Sequence, residues 1–304
     1  MTTGILLQIV QTLIAISLAP LFMGWVNQCR AWLQGRSAPP VTQPYRTLKK
    51  LFNKDAVVAR NASPLFRFAP YLIFACMALA AGIVPTIAND LPFSPAADVI
   101  ALVGIFALAR AFQALAAMDI GTAFGTLGAR REMLVSFLAE PALLMVFFNA
   151  SFISHSTQLP VIVAALAHRE FAIYPSMAFA AVAFWMVSTA ENARIPVDNP
   201  TTHLELTMIH EVMVLDHSGP DLGLILYGAA MKLTISAALV LDLMLPATGN
   251  MLLDCVAFAA GLCGLAVGVG LVESAMARLR LVRVPQVLVG TILLSFFALI
   301  LALR

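Results

Sequence analysis

The chemistry this sequence can offer rests on a few ionisable side chains set in or at the ends of long apolar runs. Arg110, Glu140, Glu191, Lys232 and Glu273 each interrupt or end such a run. In a bilayer, each would cost a few kcal/mol or more unless it found a partner or a wet cavity. Arg110, Glu140, Glu191 and Glu273 are expected at similar depth near one end of the spans, with Lys232 near the middle of its own. Two chemistries fit. Burial favours a neutral carboxyl, so a chain of these groups could hand protons along. Alternatively they form static ion pairs, for example Arg110 with Glu140, that only lock helix packing. Lys232 is the hardest to read as packing, because a buried lysine can become neutral. Pro141, directly after Glu140, frees backbone groups and is expected to kink its helix. No residue is nominated as catalytic.

A second concentration of polar groups lies between residues 191 and 220, where Arg194, Asp198, Glu205, His210, Glu211 and Asp216 crowd an otherwise charge-poor chain. Pro196 and Pro200 break any helix there. Asp198 or Thr202 is expected to cap a new one running to about residue 215. Its apolar residues Leu204, Leu206, Ile209 and Val212 make it partly buried, so the segment reads as a docking or cavity-lining element. His203, His210 and His217 recur every seven residues, roughly 10 Å apart on a helix and too far for two to share one metal. His210-Glu211 lacks the second histidine of a zinc protease. Cys29, Cys76, Cys255 and Cys263 form no Cys-x-x-Cys pair. No metal site and no cofactor are expected in this chain.

The elements that must position these groups follow from composition. Of 304 residues, 61% are hydrophobic and 11% charged, against about 25% charged in soluble domains. That excludes a soluble enzyme and a disordered protein. A net charge of +2 implies no polyanion-binding field, so nucleic acid is not a partner. Eight continuous apolar runs lie near 4–26, 67–88, 97–118, 132–154, 171–190, 221–245, 250–272 and 284–303. Each is about the length a helix needs to cross a bilayer, and none alternates as a barrel strand would. The fold expected is an all-α integral membrane bundle in the lipid bilayer. No Lys or Arg precedes the first run, which is expected to remain as a span. Fourteen of the eighteen Lys and Arg fall after odd-numbered spans. Those loops are therefore expected to be cytoplasmic, with both termini on the other side.

Two of these loops, 27–66 and 191–220, are long. In the first, Tyr45, Leu48, Leu51, Phe52 and Ala56 share one side of a helical wheel, and Arg46, Lys49, Lys50 and Lys54 share the other. That pattern is an amphipathic helix on the membrane surface. It serves either as a basic anchor or as part of a site.

Glu191-x-x-Arg194-x-Pro196-x-Asp198, with Glu205-Leu206 after it, resembles the loop after the fifth span in the complex I subunit 1 family. The run Arg36…Pro39…Gln43-Pro-Tyr45-Arg46…Lys50-Leu51 is similar to that family's first loop. Three features lean toward the branch found in formate hydrogenlyase and energy-converting nickel–iron hydrogenases. These are Met118-Asp119-Ile-Gly121 with Gly128-Ala-Arg130-Arg131-Glu132 and Glu140-Pro141, then Glu273-Ser274-Ala-Met276-Ala-Arg278, and the Tyr45-Arg46 pair. Departures from complex I are Thr201 and His203 at positions usually acidic, and Arg36-Ser-Ala-Pro39 in place of Arg-Arg-Gly-Pro.

The resemblance implies an eight-helix, non-catalytic subunit of a bacterial or archaeal cytoplasmic membrane complex. Such a subunit anchors a soluble redox arm and contributes to proton or sodium movement. Implied partners are hydrogenase-like large and small subunits, an iron–sulfur protein and antiporter-like membrane subunits. Iron–sulfur clusters, and in the hydrogenases nickel–iron, belong to those partners. Arg110, Glu140, Glu191, Lys232 and Glu273 would lie on the coupling path. Arg36, Gln43, Tyr45, Arg46, Arg130, Arg131, Arg194, Asp198, Glu205, His210, Glu211 and Asp216 would form the docking loops. Two other readings stay open. One is the quinone-chamber subunit of an NADH–quinone oxidoreductase, which the missing loop acids disfavour. The other is a stand-alone transporter, which would place its site at the bilayer midplane.

Overall fold

A computed structural model describes residues 2–86, 92, 94–167, 175–198, 209–245, 250–277 and 279–302. Among them are α1 (Thr2–Leu33), α2 (Gln43–Phe52), α3 (Pro64–Ile83), α4 (Val99–Asp119), α5 (Ala123–Ser154) and α6 (Leu159–Ala167). There follow α7 (Pro175–Glu191), α8 (His210–Val214), α9 (Gly219–Met244), α10 (Met251–Ala275) and α11 (Val284–Ala302). Seven helices are long and apolar enough to cross a membrane, and α7 supplies a shorter apolar one. The protein is an all-α, multi-pass membrane bundle.

α9 lies in the interior, packed against α3 and α1. α4 joins α3 and α5, while α11 covers α5 and α7. The core fills with side chains such as Met77, Phe106, Phe147, Phe184 and Met231. α10 packs mainly on α1, leaving Leu253, Val256, Val267 and Leu271 exposed for lipid or a neighbour.

Several helices run beyond their apolar runs. α1 continues to Leu33, so Arg30 and Trp32 are helical rather than in a loop. α5 starts at Ala123, so Arg130 and Arg131 belong to it and not to a connector. Its start is fixed by Thr122, whose side chain accepts from Gly125 N at 3.2 Å. Hydropathy registers only the part of a helix that sits in hydrocarbon, and these ends are polar. α5 also passes through Pro141 without a break. The short apolar helix α6 was not expected. The segment 199–208, with Glu205, Thr201 and His203, lies outside the described residues.

The first loop is strapped onto the bundle. α2 ends at Phe52, so Ala56 is not on its face. Leu48 is buried, and the Tyr45 hydroxyl donates to Ser17 O of α1. A side chain at Gly24 would place its Cβ 1.9 Å from Val41 O, so only glycine lets the loop backbone lie this close to α1. At the far end Gly219 takes a left-handed φ of 56° against Asp55 O. Next to it, the Ser218 hydroxyl accepts from Val57 N and donates to Val57 O, both at 2.8 Å.

Candidate functional site: two buried charge clusters and two cavities

Four helices deliver one charge cluster. α4 brings Arg110 and, one turn on, Gln113; α5 brings Glu132 and Ser136 at four-residue spacing, on one face. α7 ends on Glu191, and α9 brings Lys232. Arg110 Nε lies 3.1 Å from Glu132 Oε1, and its Nη2 lies 2.5 Å from Glu191 Oε2. Lys232 Nζ reaches the same Glu191 oxygen at 2.7 Å. Arg110 Nη1 donates to Ser136 Oγ at 2.9 Å, and Lys232 Nζ sits 5.5 Å from the centre of the Phe106 ring. Two cations therefore meet two carboxylates in a buried, charge-balanced group. Burial makes such pairing obligatory, because an unpaired charge there would carry most of its desolvation cost.

The second cluster forms where the loop after α7 meets the end of α10. Glu273 accepts from Arg194 Nη1 through Oε1 at 2.9 Å and from Arg30 Nη1 through Oε2 at 3.3 Å. Arg194 also touches the Met23 sulfur. Close by, Asp198 Oδ2 accepts from His210 N at 2.9 Å and Ile209 N at 3.3 Å. Asp198 thus holds the start of α8 at His210; the start of the helix expected after Asp198 or Thr202 falls on 199–208, outside the described residues. Leu279 N donates to Pro196 O at 3.0 Å, tying the chain after α10 to the same loop.

Each cluster borders a cavity. A small one, about 50 Å³, is lined by Arg110, Gln113, Glu132, Glu191 and Lys232 among apolar neighbours. A larger one, about 310 Å³, lies between α1, α2, α9 and the loop after α7. Its walls combine apolar Met23, Leu48 and Leu233 with Arg30, Arg194 and Glu211. Asn192, His210 and Ala229 line both.

The sequence-expected residues divide accordingly. Arg110, Glu191 and Lys232 come together. Glu140 lies two turns along α5 from Glu132, half-buried and within electrostatic reach of Arg110 and Lys232, without an ion-pair contact among the described residues. Arg110 therefore pairs with Glu132 and Glu191, not with Glu140. Glu273 stands apart in the second cluster, with Arg194. Gln43 and Glu211 line the larger cavity, while Arg36, Arg46 and Arg130 are exposed. Arg131 is half-exposed on α5. Asp216 accepts from Thr122 Oγ1 at 2.8 Å and so pins the loop before α9 to the start of α5.

Glu132 and Arg30 were missed. The signal for Glu132 was its spacing of four and eight residues from Ser136 and Glu140, which puts all three on one helical face. Arg30 was assigned to a loop because the first apolar run was stopped too early. Among the described residues, no three His, Cys, Asp or Glu side chains converge as metal ligands would.

Comparison with known proteins gives consistent matches. The model of the NADH dehydrogenase family matches residues 6–303. Formate hydrogenlyase subunit 4 of Escherichia coli is 29% identical over 294 residues, covering 93% of this chain and 94% of that protein. Hydrogenase-4 component C of the same organism is 30% identical over 242 residues, covering 80% of this chain and 76% of that one. A chain from the membrane-bound sulfane sulfur reductase, an archaeal respiratory membrane complex, superposes with a TM-score of 0.83 at 18% identity. That match covers 99% of both chains and bears on the fold.

Proposed function

This chain belongs to the NADH dehydrogenase subunit 1 family, and from that premise we propose that it is the anchor and ion-coupling membrane subunit of a hydrogenase-type respiratory complex. Its basic end faces the cytoplasm and carries the docking surface for a soluble redox arm. The loops with Arg36, Arg46, Arg130, Arg131, Arg194, Asp198, Glu205, Glu211 and Asp216 grip that arm. Iron–sulfur clusters, and nickel–iron where the arm is a hydrogenase, reside in the partner subunits, and antiporter-like subunits extend the membrane part.

The observation that carries this reading is the buried Arg110–Glu132–Glu191–Lys232 group, bordering a cavity beside the loop of the second cluster. Glu191 of this group is the last residue of α7, three residues before Arg194 of that loop. A redox event that shifts the loop changes the field on Glu191, and a proton moves in response. Neutralising Glu191, Arg194 and Asp198 together should release the arm and abolish coupled turnover in membranes. Unaltered co-purification and turnover would refute the reading. Glu140→Gln, which breaks no ion pair among the described residues, should lower proton movement while the complex still assembles.

A second reading is a quinone site in the larger cavity. The specific observation favouring it is an amphipathic space of about 310 Å³ between α1, α2, α9 and the loop after α7. Photolabelling by a quinone analogue at Gln43, Thr47 or Arg194 would establish it. Labelling confined to other subunits would remove it.

A further inference from the structure

We infer that His210 is the proton-passing side chain between the two cavities, connecting the space beside Arg30 and Arg194 with the Arg110–Glu132–Glu191–Lys232 group. This rests on the coupling function proposed above and assigns one step within it.

The argument is by elimination among the residues shared by both walls. Among the described residues, only Asn192, His210 and Ala229 line both cavities. Ala229 has no polar side-chain atom. The Asn192 amide nitrogen is committed to Ser188 O at 2.7 Å and Ser236 Oγ at 3.1 Å, and an amide does not change protonation state. The imidazole of His210 remains, and it has two nitrogens able to act on opposite sides of one ring. Its Nδ1 lies 3.4 Å from Gln113 Nε2. Gln113 borders the small cavity and not the large one, so Nδ1 lies on the side of the small cavity, whose wall holds the charge cluster.

The backbone that carries the ring is also held in place. Asp198 grips the His210 backbone N–H at 2.9 Å. Behind it, a Cβ at Gly128 of α5 would sit 3.0 Å from Ile209 O, so the start of α8 rests directly on α5. Asp198 belongs to the loop whose Arg194 is tied to Glu273. The placement of the ring therefore follows the loop that would respond to a docked partner.

The step conserves charge. A proton arrives on the bare nitrogen from one cavity, giving a transient imidazolium. The proton on the opposite nitrogen then leaves into the other cavity, and the ring returns to neutral in its other tautomer. Rotation of the ring, which exchanges the two nitrogens, resets it.

The test uses the assembled complex in membrane vesicles, driven by dithionite-reduced methyl viologen. Proton movement is followed by quenching of an acridine dye, and electron flow by viologen bleaching. His210→Gln preserves an amide that can reach Gln113 but cannot take up a proton. It should lower proton movement per electron at least fivefold. In His210→Ala, millimolar imidazole should restore the ratio, which a purely structural role would not allow. An unchanged ratio in His210→Gln overturns the inference. So does loss of assembly in both variants with no rescue by imidazole. If Glu140→Gln lowers the ratio and His210→Gln does not, the coupling function stands and His210 is not its bridge. If neither variant lowers it, both fail together.

Discussion

The two buried charge clusters use the same side chains in different proportion and on different supports. In the Arg110 cluster, two cations face two carboxylates, and every member rides on a long helix. In the Glu273 cluster, one carboxylate serves two arginines, and Arg194 comes from a loop. The first is charge-balanced and fixed by four packed helices, so it can hold a state. The second carries an excess positive charge and is only as rigid as the loop, so it can report where that loop is. A molecule that turns docking at its surface into an event in the bilayer needs both kinds, joined by something that belongs to both. Asp198, His210 and Asn192 lie at that junction.

The comparison breaks most visibly at Glu191. Glu191→Gln leaves Arg110 and Lys232 buried against Glu132 alone, and the expected cost is about 3–5 kcal/mol of stability. The purified chain in detergent should melt well below the parent protein, and coupled proton movement should be lost. A melting point within a degree or two of the parent would mean that water already screens this group, and the contrast between the clusters would collapse. Glu273→Gln should do less, roughly 1–3 kcal/mol. Its effect should be local, because the Arg30 side chain keeps 16% exposure and can turn to water. Faster protease cleavage near Arg194, with an unchanged Arg110 cluster, is the expected signature. Equal destabilisation by the two variants would show that the loop is as much part of the rigid bundle as the helices are.

The same contrast explains what could be read from the sequence. Arg110, Glu191 and Lys232 were legible because a charge inside an apolar run has few physical excuses. Their partner Glu132 was not, because it stands at the first residue of its apolar run, where a charge reads as an interfacial end, while the helix starts nine residues earlier at Ala123. Periodicity alone cannot tell how far a helix continues into water. Glu273 was recognised as a charge at a span's end but placed with the wrong cluster. Depth along the membrane normal says nothing of which side of the bundle a residue occupies, and only the packing of α10 on α1 puts it beside Arg30. Asp198 was anticipated as a cap, but its hold on the start of α8 at His210 joins residues twelve apart, which no local pattern announces. The basic helix α2 was legible from its wheel. Its attachment to Ser17 and its place in the wall of the larger cavity were not.

The smallest expected effect concerns the strap that frames the larger cavity, and it is set by pH. His217 lies outside the membrane spans, in the turn before α9, 5% exposed and stacked on Phe66 with ring centres 4.1 Å apart. Burial lowers its pKa to about 4, against a smaller opposing pull from Asp216. Above about pH 6.5 the ring is neutral whether the strap is closed or open, and it contributes no pH dependence. As pH falls from there toward 4, the open form takes up a proton that the closed form refuses, so closure weakens steadily. At pH 5 the loss is on the order of 2 kcal/mol. Amide hydrogen exchange over residues 53–63 should therefore accelerate between pH 7 and pH 5 beyond the intrinsic chemical trend. In His217→Phe, which keeps the stack and cannot ionise, that excess should vanish. An excess that persists in this variant would show that the strap is not held by a ring that must stay uncharged.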